Sequence, residues 1–176
     1  MKAVIVGCGR VGALLATTLD AAGHDVSIID TSTTAFDRLP SEFKGSAIRG
    51  NGTDEAVLRR AGAQDCDLFL ALTEGDNRNV MSAQLAAEVF GARKSVAKLN
   101  DPVRAEAFAE LGVATACRTT LMADAILGYV GLPVSGVSGV RVPSGTHHEA
   151  GDREAPSGPF AESTVGTGAD AETRGR

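Results

Sequence analysis

Residues 7–12 read Gly-Cys-Gly-Arg-Val-Gly. They stand directly between an apolar, β-branched run, MKAVIV, and a small-residue stretch, ALLATTLDAAG, that ends in glycine. A strand, a glycine-rich turn and a helix in immediate succession form the dinucleotide-binding opening of a Rossmann unit. Gly7 permits the tight turn. Gly9 lacks a Cβ, so a pyrophosphate can lie against the backbone. Gly12 lets the helix pack close to the strand. Phosphates then meet the unpaired N–H groups and the positive dipole end of the helix N-terminus.

The rest of the chain repeats this alternation. The first helix is expected over residues 10–22, stopped at Gly23. Residues 24–30 read as a second strand ending at Asp30, 18 residues after Gly12. That is close to the roughly 20-residue spacing of a carboxylate that accepts hydrogen bonds from ribose hydroxyls. Such a carboxylate repels a 2′-phosphate and favours NAD-like or adenine nucleotides over NADP. A short helix at 34–39 precedes Pro40, and residues 46–49 form a brief third strand. The turn at 50–54 follows, with Thr53 as N-cap of a helix over 55–62. Asn51 in this turn is either a contact to the base or ribose, or a turn residue tolerating positive φ.

Residues 67–72 are the clearest buried strand. Its end, Thr73 and Glu74, closes the other side of the crevice. Asp76 or Asn77 starts a helix running to Gly91. Residues 95–99 form a fifth strand. On it, Lys98 either points into the crevice or is a solvent-facing lysine. Asp101 and Pro102 make an N-cap and first helical position for a helix ending at Gly112. A sixth strand at 113–117 and a last helix at 119–130 follow. That helix has an apolar face of Leu121, Met122, Ala125, Ile126 and Tyr129, suited to packing or to a second subunit. The expected fold is α/β, a Rossmann-type doubly wound parallel sheet of about six strands in the order 3-2-1-4-5-6. The folded domain is expected over residues 1–133. Residues 134–176, rich in Gly, Ser, Thr, Pro and Glu, are expected to form a disordered low-complexity tail.

Composition narrows the function. A net charge of −5 and the lack of a long basic stretch argue against nucleic-acid binding through a cationic face. No apolar run reaches the roughly 18 residues of a membrane helix, and the first residues read as a strand instead of a signal peptide. These features point to a cytoplasmic protein. Cys8, Cys66 and Cys117 have no metal-ligand or CxxC spacing and read as small buried thiols. His147-His148 lacks a second ligand set, so no metal site is expected.

Five stretches together resemble one family: GCGRVG at 7–12, Asp30, GNGTDEAVLRRAG at 50–62, LTEGDNRNVMSAQLA at 72–86 and AKLNDPVRAEAFAELGV at 97–113. They are similar to the nucleotide-binding domain, RCK-N or TrkA-N, of Trk/Ktr-type potassium-uptake regulators. The resemblance covers roughly residues 1–130. It implies a cytoplasmic regulatory subunit, not an enzyme, peripheral to the inner face of the plasma membrane. The subunit would bind NAD(H) or ATP/ADP as regulatory ligand. It would form homo-oligomers, a dimer or ring of dimers, and gate a membrane potassium-translocating subunit. Carried over by motif, the nucleotide contacts are Gly7, Cys8, Gly9, Arg10, Val11, Gly12, Asp30, Asn51, Gly52, Thr73, Glu74 and Lys98.

Two departures stand out. Gly50-Asn51 replaces the family's usual Gly-Asp, removing one charge near the nucleotide. The low-complexity tail stands where many members carry a C-terminal ligand-binding domain, so the chain reads as a short member or as a truncated or frame-altered one. The rival readings are an NAD-dependent oxidoreductase and a methyltransferase. For the first, Tyr129 has no lysine four residues on, and His24 lies away from the strand C-termini where chemistry occurs. For the second, the turn and its small-residue helix suit a pyrophosphate better.

Overall fold

The central strand is apolar along its whole length because both of its faces are covered. In the computed structural model, which describes residues 1–134 and 139–143, this is β1 (Lys2–Val6), with Val4 and Ile5 fully buried. It pairs in parallel with β2 (Asp25–Asp30) on one side and β4 (Leu68–Ala71) on the other. β3 (Ser46–Arg49) extends the sheet beyond β2. β5 (Ser95–Leu99) and β6 (Ala114–Cys117) extend it beyond β4. The chain therefore reverses its direction of winding between β1 and β4, which opens a crevice at the strand C-termini.

Alternate β1 side chains feed two cores, one on each face of the sheet. Ile5 packs with Val26 and Ile28 beneath α1 (Arg10–Ala21). Buried Gly12, Ala13 and Ala16 bring α1 close to the sheet there. Val4 and Val6 face Leu58 of α2 (Glu55–Arg60) and Val80 and Ala83 of α3 (Asp76–Gln84). Ala105 of α4 (Pro102–Glu110) belongs to the same core. The residues after β2 form a 3₁₀ helix, Thr33–Arg38. α3 continues into a π-helical turn, Leu85–Val89, closed by the Phe90 N–H donating to the Leu85 carbonyl at 3.1 Å. The sequence reads this stretch as one uniform helix. The wider turn accompanies full burial of Phe90.

Two further differences have local causes. The N-cap of α2 is Asp54, whose carboxylate accepts the Ala56 N–H at 2.8 Å, and not Thr53. Both the N–H and the hydroxyl of Thr53 are bonded to Asn51 Oδ1, so the cap falls to the next residue while the helix still begins at Glu55. The sheet also has a seventh strand, β7 (Val140–Arg141), antiparallel to β6 and inside the stretch expected to be disordered. It is held by two register pairs and by an Arg141–Glu106 ion pair at 3.2 Å. Two residues in a Gly- and Ser-rich segment give no periodicity to read. The described residues belong to a unit spanning Met1–Thr146. The remainder of the tail, with His147-His148, lies outside the described residues.

The last helix, α5 (Arg118–Tyr129), buries none of its residues. Leu121, Met122, Ile126 and Tyr129 stand exposed, with Tyr129 at 92%.

Candidate functional site

The site is built where β1 turns into α1. Gly7 has φ +103°, a left-handed conformation that its lack of a Cβ permits. A Cβ there would lie 3.0 Å from the Leu72 and Thr73 backbone, so the chain leaving β4 passes close against the turn. A Cβ on Gly12 would come within 1.9 Å of the Gly7 carbonyl oxygen. Gly9 differs from both. Its φ of −77° suits any residue, and no protein atom lies within 4 Å of the Cβ position. Gly9 is also the N-cap of α1 and offers no side-chain cap, and the first turn carries no acid. The orphan N–H groups and the dipole thus face outward where the backbone is bare.

A cleft of about 240 Å³ opens on this surface. Gly7 and Gly9 line it, as do Asp30, Asn51, Gly52, Thr73 and Glu74, all singled out from the sequence. The structure adds Thr31, Gly50, Thr53, Arg78 and Ser82. Ser82, one helical turn along α3 from Arg78, donates its hydroxyl to the Gly52 carbonyl at 2.8 Å and so fixes the helix to the turn after β3. Serine and arginine inside a helix carry no motif, and only the 3.6-residue period places 78 and 82 on one face.

Asp30 is tied into the turn it faces. Its Oδ2 accepts the Cys8 N–H at 2.8 Å and its Oδ1 accepts the Ser32 N–H at 2.9 Å. Each oxygen retains acceptor capacity beyond the one bond it makes here, and the residue lines the cleft. Asn51 serves the turn after β3 through its Oδ1 while also lining the cleft. Thr73 is held by Asn79, which is fully buried. Asn79 Oδ1 accepts the Thr73 N–H at 2.9 Å and hydroxyl at 2.7 Å, and its Nδ2 donates to the Thr73 and Lys98 carbonyls at 2.9 and 2.8 Å.

The other sequence candidates sit around the cleft instead of on its wall. The Cys8 side chain turns inward, its thiol donating to the Ala35 carbonyl at 3.3 Å. Burial raises the thiol pKa above its usual value, the Asp30 charge adds to this, and Arg38 opposes it. Arg10 and Val11 are exposed on the first turn of α1. Lys98 is not solvent-facing and does not itself line the cleft, but its ammonium is directed at a residue that does. It is only 6% exposed and its Nζ lies 3.7 Å from Glu74 Oε1, which draws that carboxylate toward β5. Cys66 and Cys117 are buried and unpaired as disulfides. Among the described residues no cluster of three His, Cys, Asp or Glu forms a metal site, and no helix is long and apolar enough to cross a membrane.

A doubly wound parallel sheet whose first strand turn is an uncapped, glycine-bared helix start, with an acid on the neighbouring strand, defines a Rossmann-type α/β domain of the nucleotide-binding kind. The TrkA-N domain profile matches residues 3–119, and the chain belongs to that family. It is 42% identical over 127 residues to the Trk system potassium uptake protein TrkA of Streptomyces coelicolor, covering 72% of this chain and 57% of that protein. It is 37% identical over 113 residues to a TrkA homolog of Methanothermobacter thermautotrophicus, covering 64% and 52%. The chain thus spans about half the length of these relatives. Solved structures share the fold at lower identity. The TrkA-N domain of inner membrane protein ybaL from Escherichia coli superposes with a TM-score of 0.65 at 22% identity, covering 73% of this chain and 96% of that one. The AMP-bound Shewanella denitrificans Kef CTD gives 0.58 at 24%, covering 74% and 82%. The GsuK channel bound to NAD gives 0.59 at 17%, covering 72% and 23%.

Proposed function

We propose that this chain is a regulatory domain that binds NAD(H) or an adenine nucleotide, ATP or ADP, and gates a membrane potassium-translocating subunit from its cytoplasmic side. The observation that carries the reading is Gly9: a bare backbone at an uncapped helix N-terminus, with clear space where a Cβ would stand. A pyrophosphate fits that cradle, and Asp30 stands one strand away with lone pairs for a ribose. The relatives named as potassium uptake proteins, and the fold shared with a channel's domain, supply the physiological setting.

The cleft is arranged for holding a ligand and not for reacting with it. Asp30 is bonded to two backbone amides, and Glu74 is paired with Lys98. Binding energy is then available to shift a conformational equilibrium, by as much as the ligand's affinity differs between the two states. The exposed apolar row of α5 supports assembly into dimers or a ring of dimers.

Thermal unfolding with NAD, NADH, ATP, ADP and S-adenosylmethionine tests the ligand class. A nucleotide at a hundred times its dissociation constant stabilises by about 2.7 kcal/mol. Stabilisation by S-adenosylmethionine alone, or hydride transfer to a carbonyl substrate by the purified chain, overturns the proposal. Co-purification with a potassium-transporter membrane subunit tests the partner.

A further inference from the structure

We infer that Arg78 is a further ligand-binding residue of the cleft, its guanidinium plane stacking on the base of the bound nucleotide. The inference rests on the nucleotide reading above.

Three observations lead to it. Arg78 lines the cleft and makes no hydrogen bond or ion pair with any described residue. Of the two acids on the wall, Asp30 accepts from backbone amides and Glu74 pairs with Lys98, and neither is bonded to the guanidinium. Secondly, its position is defined. A Cβ on Gly75 would lie 2.9 Å from Arg78 Nε and 3.2 Å from the nearer Nη, so the side chain is laid along a bare stretch of backbone at the cleft mouth. One turn further on, Ser82 pins the same helix face to the Gly52 carbonyl. Arg78 therefore stands on the side of the cleft bounded by the turn after β3. That turn carries Asn51, the candidate base or ribose contact, while the guanidinium itself lies over Gly75 in the loop after β4.

Thirdly, among the described residues no aromatic side chain lines the cleft. The apolar side chains on the wall, Val6, Ile29 and Leu72, are aliphatic, so a purine face meets no planar π-surface among them. Guanidinium is planar, delocalised and weakly hydrated, and it stacks on aromatic faces where an ammonium does not. Arg78 is the extended planar cation that this wall supplies. The Gly50-Asn51 turn, without the family's usual acid, leaves no carboxylate there to compete for it.

The test compares the full chain with Arg78→Ala and Arg78→Lys by titration calorimetry, using AMP, ADP, ATP, NAD and ribose 5-phosphate. Because Arg78 is bonded to nothing described, both variants should melt with the wild type. Both are expected to weaken AMP, ADP, ATP and NAD by a similar factor of about ten, the low end of base stacking. Ribose 5-phosphate, which has no base, should bind all three proteins equally. If lysine restores wild-type affinity, or if the loss grows from AMP to ATP, the guanidinium serves a phosphate and the inference falls. Unchanged affinity in both variants also overturns it. A wild-type chain that binds none of the nucleotides sinks the ligand reading itself, a result distinct from these.

Discussion

The Asp30 carboxylate holds the Cys8 N–H at 2.8 Å, so the acid ending β2 is a structural strut of the glycine turn as well as a wall of the cleft. Its second oxygen takes the Ser32 N–H. One side chain thus links the loops after β1 and β2, and a ligand hydrogen-bonded to it would be coupled to both.

Asp30→Ala is therefore expected to lose stability as well as affinity. Two backbone donors lose a charged acceptor at a partly exposed site, which costs roughly 1–2 kcal/mol. Nucleotide affinity should fall by about tenfold, a single hydrogen bond to a charged group. Urea denaturation and calorimetry measure the two separately. Stability equal to wild type would show that the strut bears nothing.

Gly9 and Gly12 give opposite expectations. Gly12→Ala drives a methyl to within 1.9 Å of the Gly7 carbonyl and must push α1 off the sheet, at about 2–3 kcal/mol. Gly9→Ala meets no protein atom and keeps an ordinary φ. It should cost less than about 1 kcal/mol, the difference between glycine and alanine at an N-cap. Yet its methyl occupies the phosphate cradle, so nucleotide binding should be lost while melting stays close to wild type. If Gly9→Ala binds normally, the phosphates do not lie there.

How much of this was legible in the sequence follows from what each residue's role depends on. Gly7, Gly9, Gly12 and Asp30 are legible because backbone geometry at fixed spacing demands those residue types. The strand order follows from the alternation of helix and strand, up to β6. Arg78 and Ser82 are not legible. Their role depends on which way α3 is rotated about its axis, and packing against Gly52 decides that. Lys98 is ambiguous because Ala97, Lys98 and Leu99 are all buried, and a strand covered on both faces shows no alternation to say where a lysine points. Asn51 looked equally suited to turn and ligand. Its Oδ1 goes to Thr53, which displaced the helix cap to Asp54.

Asn79→Ala should be among the most damaging substitutions outside the glycines. It removes four hydrogen bonds at a fully buried position and strands the Thr73 N–H and the Lys98 carbonyl. The expected loss is roughly 3 kcal/mol by urea denaturation, from unsatisfied buried groups at about 1–3 kcal/mol each. Asn79→Asp retains the shape but turns a donor into an acceptor facing two carbonyls. It should be no better than alanine.

At the opposite end of the sheet, Asp67 makes stability depend on pH. Its Oδ2 accepts the Lys2 N–H at 2.7 Å, and Arg93 lies 3.3 Å from Oδ1. The backbone hydrogen bond is the main cause that holds this carboxyl below its usual pKa. Burial opposes the shift, and Arg93 and the N-terminal amine assist it. A carboxyl depressed in the folded state contributes stability above its unfolded pKa of about 3.9. That contribution fades as pH falls from there through the lower folded value. The urea midpoint of the wild type should therefore exceed that of Asp67→Asn at pH 7, and the gap should be unchanged down to about pH 5. It should narrow as pH falls below about 4 and close only once pH lies below the lowered folded value, where the wild-type side chain is protonated and, like asparagine, uncharged. A gap that stays constant across that range would mean that the Lys2 amide does not distinguish the carboxylate from its neutral form.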